Sequence, residues 1–360
     1  MNRRHRGRKA RKLTTAAGDV KLSRVYFECP QCLDSGYPLD GRLGVAGRYS
    51  HQAERLICLA AASWSYEVSS ARLEELCGLQ VGETTVREIA QRHGAAANEW
   101  MRSEPEAARA FREAEGDVEF STDGTSVNTT GGWREMKLGI FSKRDRGEAV
   151  TPDEWDTRTL PRPKVRVAFA AIEASADFGR RWKAWRKRLG LPDASAITVL
   201  ADGGKWIWEE QRRHLPGADG VLDVYHALEH VSDLSKSLHQ NEADITAWTD
   251  TARTTLLESG WSGIDKLLRE GVAPRSDSQQ TAVQGLRDYL ANHQHHLSYA
   301  ERLAAGQSIG SGQVEGGCKN LIGRRLKQTG ARWRVRRVNR QAGLCSLMYS
   351  HQWQTYWELA

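Results

Sequence analysis

Between Gly116 and Tyr225 the hydrophobic period of the chain switches repeatedly, and the order of the switches limits the fold more than any other feature. Residues 118–123 alternate apolar and polar side chains like a strand and run into Asp123-Gly124. Residues 133–141 read as a second strand, reached through a Gly131-Gly132 turn. Residues 165–172 are nearly continuous in apolar side chains, as a buried strand requires. A basic, Trp-rich stretch at 178–189 has helical spacing, and 197–201 is a fourth strand ending at Asp202. A helix over 205–213 leads to a fifth strand at 220–225. The order β-β-β-α-β-α-β demands a mixed sheet with helices packed on it, an α/β layer.

The flanks differ. Residues 1–20 are basic and predict a mobile tail; 21–48 hold two short strand-like pieces around Cys29-Pro30-Gln31-Cys32. Residues 49–112 are helical, with Leu56, Leu59 and Ala60, then Leu73, Leu76 and Cys77, then Val86, Ile89 and Ala90 at three- and four-residue spacing. Gly78 and Gly82 break the run, and Thr85-Val86-Arg87-Glu88 fits a capping box. Two short helices so joined form either a helix-turn-helix-like DNA-binding domain or an arbitrary helical hairpin. The core of 116–226 is followed by a polar helical stretch over 227–306 and a glycine-serine loop. A basic helix from Gln313 then completes the core over 307–345, leaving 346–360 as a tail.

Charge is unevenly placed. Residues 1–12 hold seven Lys/Arg (Arg3, Arg4, Arg6, Arg8, Lys9, Arg11, Lys12), residues 319–340 hold nine, and neither segment holds an acid. The net charge of the whole chain is only +7, so the remainder is acidic and carries two basic segments suited to a polyanion. The longest apolar run, residues 56–62, is far too short for a membrane span, and the N-terminal residues lack the apolar core of a signal peptide. Six cysteines in 360 residues make no disulfide scaffold, so the chain reads as cytoplasmic and reduced.

Three acids stand out by position: Asp123 and Asp202, each at a strand end and followed by glycine, and Glu315, just past the glycine-rich loop. Ligands bind beyond the carboxyl ends of strands in α/β sheets, so the two aspartates converge there. Hard oxygen ligands suit Mg²⁺ or Mn²⁺, and two such ions activate a nucleophile and stabilise a leaving oxygen in phosphodiester cleavage. A single Asp-Gly after a strand is merely a turn; two, with the late glutamate, point to catalysis.

These residues resemble a known family. The strand order and acids resemble the RNase H-like fold of DDE transposases. The tract from Ile309-Gly310-Ser311-Gly312-Gln313-Val314-Glu315 through Gly316-Gly317-Cys318-Lys319-Asn320, then Gly323-Arg324-Arg325-Leu326-Lys327 and Ala331-Arg332-Trp333, is similar to the Glu-bearing motif of Kra-type insertion-sequence transposases. Asp223-Val224-Tyr225-His226 resembles the [Cys/Asp]-x-x-His element of transposases with a helical insertion. The resemblance implies an all-α insertion before the Glu helix and two metal ions, Asp123 bridging both and Asp202 and Glu315 each holding one. It implies that His226 contacts the scissile phosphate or the leaving 3′ oxygen, unless it is a capping or core histidine. Lys319, Arg324, Arg325, Lys327 and Arg332 would follow the phosphate backbone. Trp333 would stack on an unpaired base or else pack in the core. The implied partners are terminal inverted repeats and target double-stranded DNA, with a homodimer or larger multimer pairing two ends. A domesticated, non-catalytic DNA-binding protein and a metal-dependent nuclease are the alternatives.

Two further motifs compete for attention. His226-Ala227-Leu228-Glu229-His230 matches the H-x-x-E-H of inverted zinc proteases, but begins at a strand-to-helix junction and leaves the basic segments without a role. Cys29 and Cys32 are half of a Zn²⁺ site, which needs four ligands. Cys318 and Cys345 read as buried thiols.

Overall fold

A computed structural model describes residues 4–43, 45 and 47–359; Arg3 of the basic N-terminus lies outside them. The expected mobile tail is instead a strand. β1 (Arg4–Thr15) pairs antiparallel with β2 (Gly18–Glu28), which carries short β3 (Ser35–Gly36) on its other edge, followed by α1 (Pro38–Arg42). The charges that disguise the strand are met across the hairpin. Arg6 pairs with Glu28 at 3.6 Å, Lys12 with Asp19 at 2.5 Å, and Arg11 and Arg24 share Asp40. The Lys9 ammonium lies 4.2 Å over the Tyr26 ring.

Helices α2 (His51–Ser63), α3 (Tyr66–Cys77), α4 (Glu83–Ser103) and α5 (Arg109–Glu113) follow. Ser50 and Ser65 cap α2 and α3 by accepting from backbone N–H groups, and α3 stops at Gly78 in the left-handed region. The capping box expected at Thr85 does not form, because α4 already begins after Gly82 and Thr85 lies inside its first turn.

The centre is a five-stranded sheet of β4 (Asp117–Thr129), β5 (Gly132–Arg144), β6 (Val165–Ala171), β7 (Ile197–Ala201) and β8 (Asp219–Leu222). Its spatial order is β6-β5-β4-β7-β8, antiparallel through β6, β5 and β4 and parallel from β4 to β7 and β8. α6 (Ser175–Arg188) and α7 (Lys205–His214) make the crossovers. Side-chain alternation gives the sheet two apolar faces. Phe120, Phe141 and Phe169 meet Phe178 and Trp182 of α6 on one. Leu138, Ile140, Ala168 and Ala170 pack on the other against residues after the glycine loop.

Residues 224–304 contain helices and no strand: α8 (Val224–Leu238), α9 (Glu242–Glu270, kinked at Gly260), α10 (Asp277–Asn292) and α11 (Tyr299–Ala304). The basic segment is not one helix. α12 (Gly312–Gly317) passes into a π-helical stretch, Cys318–Gly323, and a last turn, α13 (Arg324–Leu326). Gly317 lets α12 lie on β5: a Cβ there would stand 2.7 Å from Leu138 Cδ2 and 2.8 Å from Ile140 Cδ1.

α14 (Val335–Tyr349) and α15 (Trp353–Leu359) replace the expected tail. They pack on the N-terminal helices. Gln91 Nε2 donates to the Arg337 carbonyl at 3.0 Å, His51 Nε2 lies 2.7 Å from the Trp357 carbonyl, and His93 Nδ1 3.0 Å from the Tyr356 hydroxyl. The helices expected as a separate N-terminal domain therefore share one continuous apolar core with the sheet and with α14 and α15. Among the described residues no helix is long and apolar enough to cross a membrane.

Candidate functional site

Asp123 does not end its strand. β4 runs on to Thr129 because β5 continues to pair with it; what ends at Asp123 is the parallel pairing with β7, whose last pair is Thr122 with Ala201. Asp202 follows β7 directly, so adjacent strands deliver the two carboxylates to one edge of the sheet. Burial, and then the charge of Asp202, raise the Asp123 carboxyl above its ordinary value, against the Gly124 N–H donating at 2.5 Å and the Cys318 thiol at 3.7 Å. Burial and then Asp123 push the Cys318 thiol up to about 12. Asp202 Oδ1 accepts from the Gly204 N–H at 2.9 Å.

His226 is not at a strand end but in the first turn of α8. Its Nε2 lies 3.7 Å from Asp202 Oδ2 and its Nδ1 3.1 Å from Glu229 Oε2. The two histidines of the H-x-x-E-H segment engage different partners, since His230 packs its ring 4.0 Å from that of Tyr289.

Glu315 lies on α12, about half exposed, with Lys319 Nζ 3.9 Å from its carboxylate. It acts on Cys318, the thiol that also touches Asp123. Among the described residues no group of three or more His, Cys, Asp or Glu side chains is spaced to hold a metal ion. The structure thus gathers Asp123, Asp202 and His226, and sets Glu315 one helical turn from the thiol that touches Asp123.

Two buried acids outside the expected catalytic set, Asp223 of the Asp-x-x-His element and Glu119, which the sequence did not reveal, hold the glycine loop. Asp223, 1% exposed, caps α8 by accepting from the His226 N–H at 2.9 Å and also accepts from the Ser311 N–H. Glu119, 3% exposed, accepts from Ser308 and, at 2.8 Å, from Gln313, and pairs with Arg144 at 2.9 Å. One aspartate therefore fixes both His226 and the approach to Glu315. Tyr289 of α10 was also missed: it covers the Asp202-Gly203 turn so closely that a Cβ on Gly203 would stand 2.5 Å from it. Burial, then Asp202, raise its phenol well above the ordinary value. Only a pattern pairing helix 277–292 with the second aspartate would have revealed it.

The basic residues divide. Lys319 and Arg324 are exposed, Lys327 bonds to Thr125 Oγ1, and Arg332 reaches the Thr129 and Thr130 carbonyls at 3.4 and 3.3 Å. Arg325 faces inward, against expectation, and Trp333 takes the core packing that was its alternative to base stacking. Arg325 is 3% exposed, donates to the Ala61 carbonyl at 2.6 Å and lies between the Tyr66 and Trp333 rings at 4.9 and 5.0 Å. Trp333 is 7% exposed and donates to the Leu326 carbonyl at 2.9 Å. The helical register that turns Leu321, Ile322 and Leu326 to the sheet turns Arg325 inward with them.

Cys29 is buried and Cys32 exposed in a tight turn closed by Leu33 N–H to the Cys29 carbonyl at 2.9 Å. The N–H groups of Cys32 and then Gln31 hold the Cys29 thiol below its ordinary value. The pair fits two of the four ligands of a zinc site, and among the described residues no third His, Cys, Asp or Glu joins it.

No protein-family model matches this chain, and no curated protein matches it.

Proposed function

We propose that the chain is a DDE transposase of the Kra-type insertion-sequence class, cleaving DNA strands and joining the freed 3′-OH to target DNA. The observation that carries this reading is the pair Asp123 and Asp202, delivered by adjacent parallel strands and close enough for one charge to disfavour the other. Such a pair gains from a hard divalent cation, and Mg²⁺ or Mn²⁺ fits its oxygen donors. Asp123 and Asp202 would hold the metal, with Glu315 as the further ligand. The bound ions would supply Lewis-acid stabilisation of the attacking and leaving oxygens. His226 would orient the phosphate from the first turn of α8.

Three features support an RNase H-like arrangement: the mixed five-stranded sheet, the helical stretch before α12 and the late glutamate. Exposed Lys319 and Arg324 supply salt-dependent attraction for double-stranded DNA, and a multimer would pair two element ends.

The place of Glu315 outside the aspartate–histidine group favours a second reading, a DNA-binding protein without catalysis. Incubating the protein with terminal-repeat DNA and Mn²⁺ separates the two. Nicking that requires Mn²⁺ and disappears in Asp123→Asn, Asp202→Asn and Glu315→Gln is expected. DNA binding without nicking would establish the second reading, and nicking indifferent to these substitutions would sink the first.

A further inference from the structure

The glycine tract that carries Glu315 has a second face. Away from Asp123 it lines a cavity of about 760 Å³, together with the loop 155–163, the start of α8 and the end of α14. Five arginines line that cavity: Arg144, Arg158, Arg162, Arg166 and Arg324, against one acid, Asp156. Among the described residues only Arg144 of these is neutralised by a carboxylate, that of Glu119. Arg158 donates to the Gln307 carbonyl at 2.7 Å, and its Nη1 is buried without a partner among the described residues. Arg166 reaches the Tyr349 carbonyl and His351 at 2.6 and 2.9 Å. Arg162 and Arg324 have no side-chain partner among the described residues.

Such a concentration of guanidinium groups is stabilised by an anion able to accept several donors at once. The walls add a second requirement. Tyr225 and Trp155 stand together, ring centroids 5.4 Å apart, and Tyr349 lies 3.9 Å beneath the Arg166 guanidinium. A Cβ on Gly312 would meet nothing within 4 Å, so packing does not demand glycine there and the space is free for a ligand. The volume suits a small molecule with a flat ring.

We infer that this cavity binds a nucleotide, its phosphate held by Arg158, Arg162 and Arg324 and its base against Trp155 and Tyr225. The nucleotide is either free or an unpaired unit of a DNA strand; in the second case the inference rests on the DNA-directed function proposed above.

The test is the fluorescence anisotropy of a labelled five-nucleotide single-stranded DNA, with EDTA present so that metal and nicking play no part. Binding is expected to weaken about tenfold or more in Arg158→Gln/Arg162→Gln and in Gly312→Leu, which adds an apolar side chain at the cavity wall and removes no charge. Thermal unfolding by circular dichroism checks that each variant is folded. Deoxyadenosine monophosphate that competes as well as the oligonucleotide assigns a free nucleotide; much weaker competition assigns the strand. Affinity unchanged in both variants, competition by inorganic phosphate equal to that of the nucleotide, or equal competition by a fully paired duplex overturns the inference. Nucleotide binding without Mn²⁺-dependent nicking would count against the proposed activity alone.

Discussion

Replacing Trp333 by alanine tests whether this side chain serves the core or the surface. The indole is 7% exposed, its ring meets Tyr66 edge-on at 6.1 Å and the Arg325 guanidinium at 5.0 Å, and its N–H donates to the Leu326 carbonyl. The backbone on either side bonds to the hairpin tip, Trp333 N–H to Asn128 at 3.1 Å and Thr130 N–H to Trp333 at 2.8 Å, and these bonds survive the substitution. The loss is then the buried ring itself, about 3–5 kcal/mol for Trp→Ala in a core. An orphaned Leu326 carbonyl would add about 1–3 kcal/mol if water cannot reach it. Trp333→Phe keeps an aromatic ring there and should lose about 1–2 kcal/mol, the hydrogen bond and part of the volume. Urea unfolding followed by far-ultraviolet circular dichroism is the suitable assay, because thirteen tryptophans blur fluorescence. A loss under about 1 kcal/mol in Trp333→Ala, alongside a large loss of single-stranded DNA affinity, would refute the packing argument.

Four other substitutions follow from the same geometry. Asp123→Asn should stabilise the protein. A raised carboxyl favours the protonated native state, so the wild-type penalty is absent at low pH and grows as pH climbs past the ordinary value of 3.8. The gap between the thermal midpoints of variant and wild type should widen over that range and then level off; a gap independent of pH contradicts it. Gly317→Val should cost at least about 1–3 kcal/mol, since its Cβ has no room against Leu138 and Ile140, and thermal unfolding with unchanged stability would show that α12 floats off the sheet. Arg324→Gln should lower the slope of log affinity for DNA against log salt by about one unit, whereas Arg325→Gln should leave the slope alone and lower stability.

Much of the sheet was legible because its strands alternate or run continuously apolar, and β6 and β7 fall where that pattern puts them. The extent of β4 was not, because residues 124–129 carry no apolar alternation and are held as strand by backbone pairing to β5. β1 was hidden for the same reason: its basic side chains report solvent exposure, while the partners that fix them lie on β2 and α1. The inward turn of Arg325 depends on the helical register set by Leu321, Ile322 and Leu326, which a dense run of positive charge masks, and that of Trp333 on its backbone bridge to the end of β4. Asp123 and Asp202 could be read because each is an acid followed by glycine after an apolar strand pattern, although only Asp202 lies at the end of its strand. Glu119 could not be read, since an acid that anchors a loop through side-chain donors looks in sequence like any other acid; Asp223 was visible in its Asp-x-x-His element, but not its hold on the Ser311 N–H.

The packing of α14 and α15 on the N-terminal helices sets a timetable for synthesis. Gly94 of α4 sits against the Arg340 carbonyl so tightly that a Cβ would overlap it, so the packing of α4 is complete only once α14, residues 335–349, has been made. At roughly 5–20 residues per second, α4 waits about 10–50 s before Gln91, Gly94 and Asn98 meet α14. Any product halted before residue 335 leaves α4 without that partner and exposes it to chaperones or proteases.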